Sequence, residues 1–148
     1  MDYSNYADKV YKIIGASMDV YNELGFGLLE PVYQEALEIE LKHNEITCER
    51  EKLVEVFYKG VKLDKFFKLD FMVEDVIVEL KSMPELTPKS RSQLFNYMRL
   101  TNTKVGLLIN FGAYGGLEGE RYVMDENRIC HRVDKNMKPL PENNEYII

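Results

Sequence analysis

The sequence lacks the long apolar segment that anchors a protein in a membrane. None of its apolar runs approaches the roughly 18 residues that span a bilayer. The first residues, MDYSNYADKVYKII, contain neither the basic start nor the apolar centre of a secretory signal peptide. We therefore expect no membrane partner and a cytoplasmic location.

Cysteine and histidine are also scarce. The two cysteines, Cys48 and Cys130, lie too far apart in the sequence for a recognised metal-site spacing or a disulfide framework. Two thiols cannot supply the four ligands of an iron–sulfur cluster. His43 and His131 are isolated, and we predict no role for them. These features are typical of a reduced, cytoplasmic protein.

Basic residues are outnumbered, with 19 Lys and Arg against 25 Asp and Glu. The net charge of −6 disfavours the broad basic surface of a duplex-binding protein. Residues 81–104 differ, because they hold five basic residues and one acidic residue: Lys81, Lys89, Arg91, Arg99 and Lys104 against Glu85. This segment is either a phosphate-binding surface or an ordinary solvated helix face.

A chain of 148 residues fits one domain with a substantial core. Hydrophobic periodicity and turn residues predict helices over 5–23, 31–43 and 87–101. They predict strands over 46–58, 62–73, 76–83, 104–111, 121–124 and 128–133, with a glycine-rich loop over 112–119. We expect an α/β fold, a mixed sheet flanked by helices, in a single domain over 1–133 followed by a polar tail over 134–148.

The stretch DFMVEDVIVELK, residues 70–81, predicts a hairpin about Glu74-Asp75. In its tightest register the paired numbers sum to 149, so Asp70 lies opposite Glu79, and Lys81 shares the face of Glu79. Alternation in the preceding strand puts four apolar residues together on the face away from Asp70: Phe67, Leu69, Phe71 and Val73. At about 5 Å and a dielectric near 20, the two carboxylates repel by roughly 3 kcal/mol. Either Lys81 offsets this on an exposed surface, or Mg²⁺ binds between the carboxylates.

Two further motifs accompany this pair. GLLEPVYQEAL contains Gly27, Glu30 and Tyr33 in a G-x-x-E-x-x-Y pattern. QLFNY places Gln93 and Tyr97 four residues apart, on one face of the third predicted helix.

The G-x-x-E-x-x-Y motif, the acidic pair with Lys81, and the Gln93–Tyr97 pair follow one another along the chain. With this order, roughly residues 7–112 resemble the GxxExxY family of the PD-(D/E)XK nuclease superfamily, in its RecB-like branch. Leu69 precedes Asp70 where the superfamily's name implies proline, a residue that is not a ligand.

The resemblance implies a restriction-endonuclease-like fold and hydrolysis of DNA or RNA phosphodiesters with Mg²⁺ or Mn²⁺. It implies these metal ligands: Asp70, Glu79, the carbonyl of Leu80 and, through water, Glu30. Lys81 would position the attacking water and stabilise the transition state, and Gln93 would help orient the substrate or the site. The candidate substrate contacts are Lys89, Arg91, Tyr97 and Arg99, the charged ones through phosphates.

Each added residue also has a structural interpretation. The negative charge of Glu30 can stabilise the positive end of the helix dipole at the start of its helix. Tyr33 and Tyr97 can be core residues. The alternative to an enzyme is a non-cleaving module that binds nucleic acid or a protein on a nuclease fold. A homo-oligomer is compatible with either function.

Overall fold

The computed structural model of the chain describes residues 2–141. Its helices are α1 (Ala7–Leu24), α2 (Glu30–His43) and α3 (Pro88–Thr101), with a short 3₁₀ turn at Ser4–Tyr6. Its strands are β1 (Cys48–Tyr58), β2 (Val61–Val73), β3 (Val76–Lys81), β4 (Val105–Asn110), β5 (Glu118–Met124) and β6 (Cys130–Val133). Within these residues no helix is long and apolar enough to cross a membrane.

The strands of residues 2–141 form one sheet in the order of the sequence, β1 to β6. β3 and β4 are parallel and are joined by α3, whereas the other neighbouring pairs are antiparallel. A parallel pair needs a crossover, which α3 supplies. The predicted α/β class, a mixed sheet flanked by helices, is confirmed.

Helices cover both faces of the sheet. α1 and α2 place their apolar residues on one face: Val10, Ile13, Ala16, Val20, Tyr33, Leu37 and Leu41. α3 places Leu94, Phe95 and Met98 on the other. β4 is therefore buried at every position, as its continuously apolar sequence predicts. Gly106 in β4 lets α3 approach, since a Cβ there would lie 2.7 Å from the sulfur of Met98.

Several strand boundaries differ from the predicted ones, by up to three residues. β5 begins at Glu118, inside the predicted loop, because its pairing with β4 extends as far as Asn110. β3 ends at Lys81 rather than at Met83. The side chain of Asn110 accepts a hydrogen bond from the Met83 amide and donates one to its carbonyl, in place of strand pairing.

The predicted common face of β2 is wrong. Leu69 packs in the cluster that contains α3, whereas Phe71 and Val73 pack in the cluster that contains α1 and α2. The change occurs at Asp70, where the β1–β2 ladder has a gap between the pairs Arg50–Phe71 and Lys52–Leu69. Glu51 has a φ of +54°, outside the extended region of a strand. The change of face on β2 therefore coincides with this irregularity of the ladder.

Beyond Glu51 and Asp70, the β1–β2 hairpin continues as a largely exposed extension, with Val54 at its base buried in the cluster that contains α3. We call residues 52–68 the hairpin arm. Along β2, every residue from Val61 to Lys68 is exposed.

After β6 the chain turns back, with Pro139 bridged to Val133 and Met137 buried in the core. The predicted polar tail therefore begins against the sheet, and its residues 142–148 lie outside the described residues. The division into a domain over 1–133 and a tail stays a prediction.

Candidate active site

The register predicted for the β2–β3 hairpin is confirmed. Its pairs, Phe71 with Val78, Met72 with Ile77 and Val73 with Val76, all sum to 149. At the next position, side chains replace the backbone ladder. The Asp70 amide donates to Oε1 of Glu79 at 3.0 Å, and the Leu80 amide donates to Oδ2 of Asp70 at 2.8 Å. These two bonds hold both carboxylates at the point where β2 leaves β3.

Burial determines the charge of this acidic pair. Glu79 is only 4% exposed. Its burial, followed by the charge of Asp70, raises the pKa of Glu79 to about 9. Burial also raises the pKa of Asp70, against the lowering effect of the Leu80 hydrogen bond. At neutral pH without a cation, Glu79 therefore holds a proton, and the repulsion expected between two carboxylates is relieved.

Lys81 lies at the end of a hydrogen-bonded chain from α3. Its Nζ donates to Oε1 of Gln93 at 2.8 Å, and Nε2 of Gln93 donates to Oη of Tyr97 at 3.3 Å. Thr87 caps α3 by accepting from the Ser90 amide at 3.2 Å. This cap, with proline at the first helical position, sets where Gln93 lies along the helix. α3 therefore orients the ammonium group of Lys81.

Glu30 and Asp70 line one small pocket of about 260 Å³ between α2 and the β1–β2 hairpin. Leu80, Glu51 and Lys68 also line it. Sequence analysis missed Glu51, whose charge contributes to the raised pKa of Asp70. Nothing in the local sequence indicates this role, because the approach of Glu51 depends on its unusual backbone conformation and on strand pairing.

The G-x-x-E-x-x-Y motif shapes the turn that leads into α2. The buried Tyr33 hydroxyl donates to the Gly25 carbonyl at 2.7 Å and accepts from the Leu28 amide at 3.0 Å. The ring of Tyr33 stacks on Phe111, with centroids 4.3 Å apart. Gly27 has a φ of +83°, which favours glycine. Glycine and tyrosine thus build the turn, and the glutamate between them starts the helix at the pocket.

A second buried residue fixes the strand end that carries Lys81. Asn110 binds both backbone groups of Met83, and its Oδ1 also accepts from the Gly112 amide at 3.0 Å. The Phe111 amide donates to the Lys81 carbonyl at 2.8 Å. The backbone on both sides of Lys81 is therefore held in place.

The predicted substrate contacts divide into two groups. Lys89 is exposed on α3, Arg99 is half-buried, and its Nε donates to the Arg128 carbonyl at 3.0 Å. Arg91 is only 8% exposed. Its guanidinium donates two hydrogen bonds of 2.8 Å to the carboxylate of Glu120. This burial does not fit the phosphate contact predicted for Arg91, because the side chain lies inside the domain. Tyr97 is buried beside Gln93 and contacts Phe67.

The acidic pair suits a hard divalent cation. Asp70 and Glu79 provide carboxylate oxygens, and Mg²⁺ is commonly held by one or two carboxylates together with waters and substrate phosphate. In the described part of the chain, no group of three or more His, Cys, Asp or Glu side chains is close enough to share an ion. A cation here would therefore depend on this pair, with Glu30 reaching it through water.

A larger pocket, of about 830 Å³, lies along α1. It is lined by side chains of both signs, including Asp8, Lys12, Glu45 and Arg121. It contains neither member of the acidic pair. We therefore assign the candidate site to the smaller pocket and the adjoining strand ends.

Comparison with known proteins identifies the family. No curated protein matches the chain significantly. Among solved structures, the crystal structure of SSO0001 superposes with a TM-score of 0.51 at 15% identity, and it covers 96% of this chain. At this identity the likeness shows the fold alone, and this chain spans 64% of the length of SSO0001. Residues 7–122 match the sequence profile of the PD-(D/E)XK nuclease superfamily, whose restriction-endonuclease-like architecture agrees with the mixed sheet. The chain therefore belongs to the PD-(D/E)XK nuclease superfamily.

Proposed function

We propose that the protein is a nuclease that hydrolyses phosphodiester bonds of DNA or RNA and depends on Mg²⁺ or Mn²⁺. The observation that carries the proposal is the acidic pair Asp70 and Glu79 beside Lys81, with Glu79 held by the Asp70 amide and Asp70 held by the Leu80 amide. Membership of the nuclease superfamily supports the same function. The order of the motifs supports a finer assignment, to the GxxExxY family and the RecB-like branch.

In this proposal Asp70, Glu79 and the Leu80 carbonyl hold the cation, with Glu30 joined through water. When bound, the cation supplies a polarised phosphoryl oxygen and a bound water of lowered pKa. The ammonium group of Lys81 adds positive charge where the transition state becomes more negative. Gln93 keeps that group pointed at the site, because it accepts one of its hydrogen bonds.

The proposed substrate surface consists of Lys89 and Arg99, without Arg91 and Tyr97, which are both buried. Lys89 is exposed and free to contact a phosphate. Tyr97 acts through Gln93, to which its hydroxyl is hydrogen-bonded. We also propose a cytoplasmic location, since Cys48 and Cys130 are both unpaired thiols.

The test is a cleavage assay with labelled single- and double-stranded DNA and RNA. We expect cleavage with Mg²⁺ or Mn²⁺, none with EDTA, and none for Asp70→Asn or Lys81→Met. Glu85→Gln is the matched control, because Glu85 is exposed between β3 and α3 and should retain activity. Cleavage that continues in EDTA or in both site variants would contradict the proposal. Binding without cleavage in every condition would favour the non-cleaving module instead.

A further inference from the structure

The hairpin arm exposes an unusual amount of apolar surface. Its exposed large apolar residues are Leu53, Phe57, Tyr58, Val61, Leu63, Phe66 and Phe67. Phe57 is 59% exposed and Phe66 is 55% exposed. Phe66 is paired with Glu55, and Phe57 follows two residues later on β1, where the strand register shifts. So many exposed large apolar residues on one short hairpin favour an interaction site.

The same arm is basic on an acidic protein. Residues 52–68 contain five lysines and two acidic residues, a net +3 in a chain of net −6. The five are Lys52, Lys59, Lys62, Lys65 and Lys68. Lys52 and Lys62 form exposed ion pairs with glutamates. Among residues 2–141, Lys65 and Lys68 make no ion pair, and both are exposed. The arm therefore attracts a polyanion.

The arm is continuous with the candidate site. Lys68 lines the pocket that also contains Asp70 and Glu30. On the other side, Phe67 contacts Tyr97, with ring centroids 5.7 Å apart. From Lys68 to Val61, at about 3.3 Å per residue, the arm reaches roughly 20 Å from the pocket. A chain-like ligand that enters the pocket can therefore follow the arm.

We propose that the hairpin arm binds single-stranded nucleic acid and feeds it to the acidic pair. The proposal rests on the proposed function and deepens it by naming the substrate class. Exposed aromatic rings stack on unpaired bases, whose faces a duplex hides, and interleaved lysines contact the backbone phosphates. Phe57 and Phe66 supply the stacking, and Lys65 and Lys68 supply the charge.

A second copy of the chain fits this surface poorly. A symmetric dimer through the arm would bring two segments of net +3 together. Lysine is depleted in the centre of protein–protein interfaces, whereas here it alternates with the exposed rings. A dimer is therefore an outcome of the test rather than the proposal.

The experiment measures binding of a labelled oligothymidylate by fluorescence anisotropy in EDTA, so that cleavage is not required. We expect Phe57→Ala/Phe66→Ala to weaken binding at least about tenfold, because each lost stacking contact costs severalfold or more. Lys65→Ala/Lys68→Ala should reduce the slope of log affinity against log salt by about 1.4, since each phosphate contact on a single strand contributes about 0.7.

The matched controls lie outside the arm. Tyr11 on α1 is 73% exposed, so Tyr11→Ala removes an aromatic ring of similar accessibility. Lys135→Ala removes an exposed lysine. Both controls should bind like the unmodified protein. Thermal denaturation of every variant checks that a loss of binding is not a loss of folding.

Three results would overturn the proposal. In the first, the arm variants bind the single strand as tightly as the controls do. In the second, the unmodified protein binds a duplex but no single strand. In the third, light scattering finds a dimer that Phe57→Ala/Phe66→Ala dissociates. Binding by the arm without any cleavage would support this inference and contradict the nuclease proposal. Cleavage that is unaffected by the arm variants would do the reverse.

Discussion

Replacing Glu79 by glutamine should make the metal-free protein more stable at neutral pH. Burial and the charge of Asp70 raise the pKa of Glu79 from 4.5 to about 9 in the folded protein. The native state therefore keeps a proton that the unfolded chain releases above its own pKa. The wild type has its full stability below about pH 4.5 and loses stability as the pH rises toward 9. The glutamine side chain of the Glu79→Gln variant is neutral in both states, so the variant avoids this loss.

The size of the effect follows from the shift. In the unfolded chain the carboxyl group of Glu79 is ionised at pH 7, which is about 2.5 pH units above its pKa of 4.5. This ionisation lowers the free energy of unfolding by roughly 3 kcal/mol. For a domain of this size, that difference raises the melting temperature by roughly 6–12 °C. Glutamine can also keep the hydrogen bond from the Asp70 amide, because its carbonyl oxygen can occupy the position of Oε1. At pH 5 the difference should fall below about 1 kcal/mol.

The assay is urea unfolding in EDTA at several pH values between 5 and 8. Glu85→Gln is the control, since Glu85 is exposed and its replacement should leave the free energy of unfolding nearly unchanged. Addition of Mg²⁺ should stabilise the wild type and not Glu79→Gln, because the variant has lost a proposed ligand. The reasoning is refuted if Glu79→Gln is less stable than the wild type at pH 7. It is refuted equally if the difference between the two does not change with pH.

Three further changes test other parts of the structure. Gln93→Leu removes the acceptor that orients Lys81, so the cleavage rate should fall about tenfold or more. The rise in melting temperature on addition of metal should be the same as in the wild type. An unchanged cleavage rate would refute the orienting role. Arg91→Ala removes two hydrogen bonds from the buried carboxylate of Glu120, which keeps the Tyr122 hydroxyl at 2.6 Å and Arg132 at 3.7 Å, and should cost about 3 kcal/mol in urea unfolding. If the Arg91→Ala variant remains folded, its nucleic-acid affinity should depend on salt concentration as that of the wild type does. A smaller slope of log affinity against log salt would show that Arg91 contacts a phosphate. Gly112→Ala places a Cβ 2.2 Å from the backbone nitrogen of Met83, so the melting temperature should drop by several degrees. A variant as stable as the wild type would contradict this geometry.

Local patterns were sufficient for most of the fold and for the centre of the candidate site. Helical and strand periodicities predicted every helix and strand between residues 5 and 133, because side-chain spacing alone separates the two structures. The turn at Glu74-Asp75 predicted the register that brings Asp70 and Glu79 together, since a two-residue turn fixes which positions pair. These inferences depend on residues that are neighbours in the sequence.

Other features depend on contacts between distant segments and cannot be predicted from local sequence patterns. Arginine is usually found at the protein surface, so the sequence alone suggests an exposed Arg91. Its hydrogen bond to the carboxylate of Glu120, 29 residues away, holds the side chain inside the domain. Glu51 lines the pocket at the gap in the β1–β2 ladder, where its backbone departs from the extended conformation. The proton on Glu79 has the same origin, since burial by the assembled sheet and helix raises its pKa. The sequence thus determined which residues pair along neighbouring strands, whereas the packing of helices on the sheet decided which charges are buried, which are paired and which face solvent.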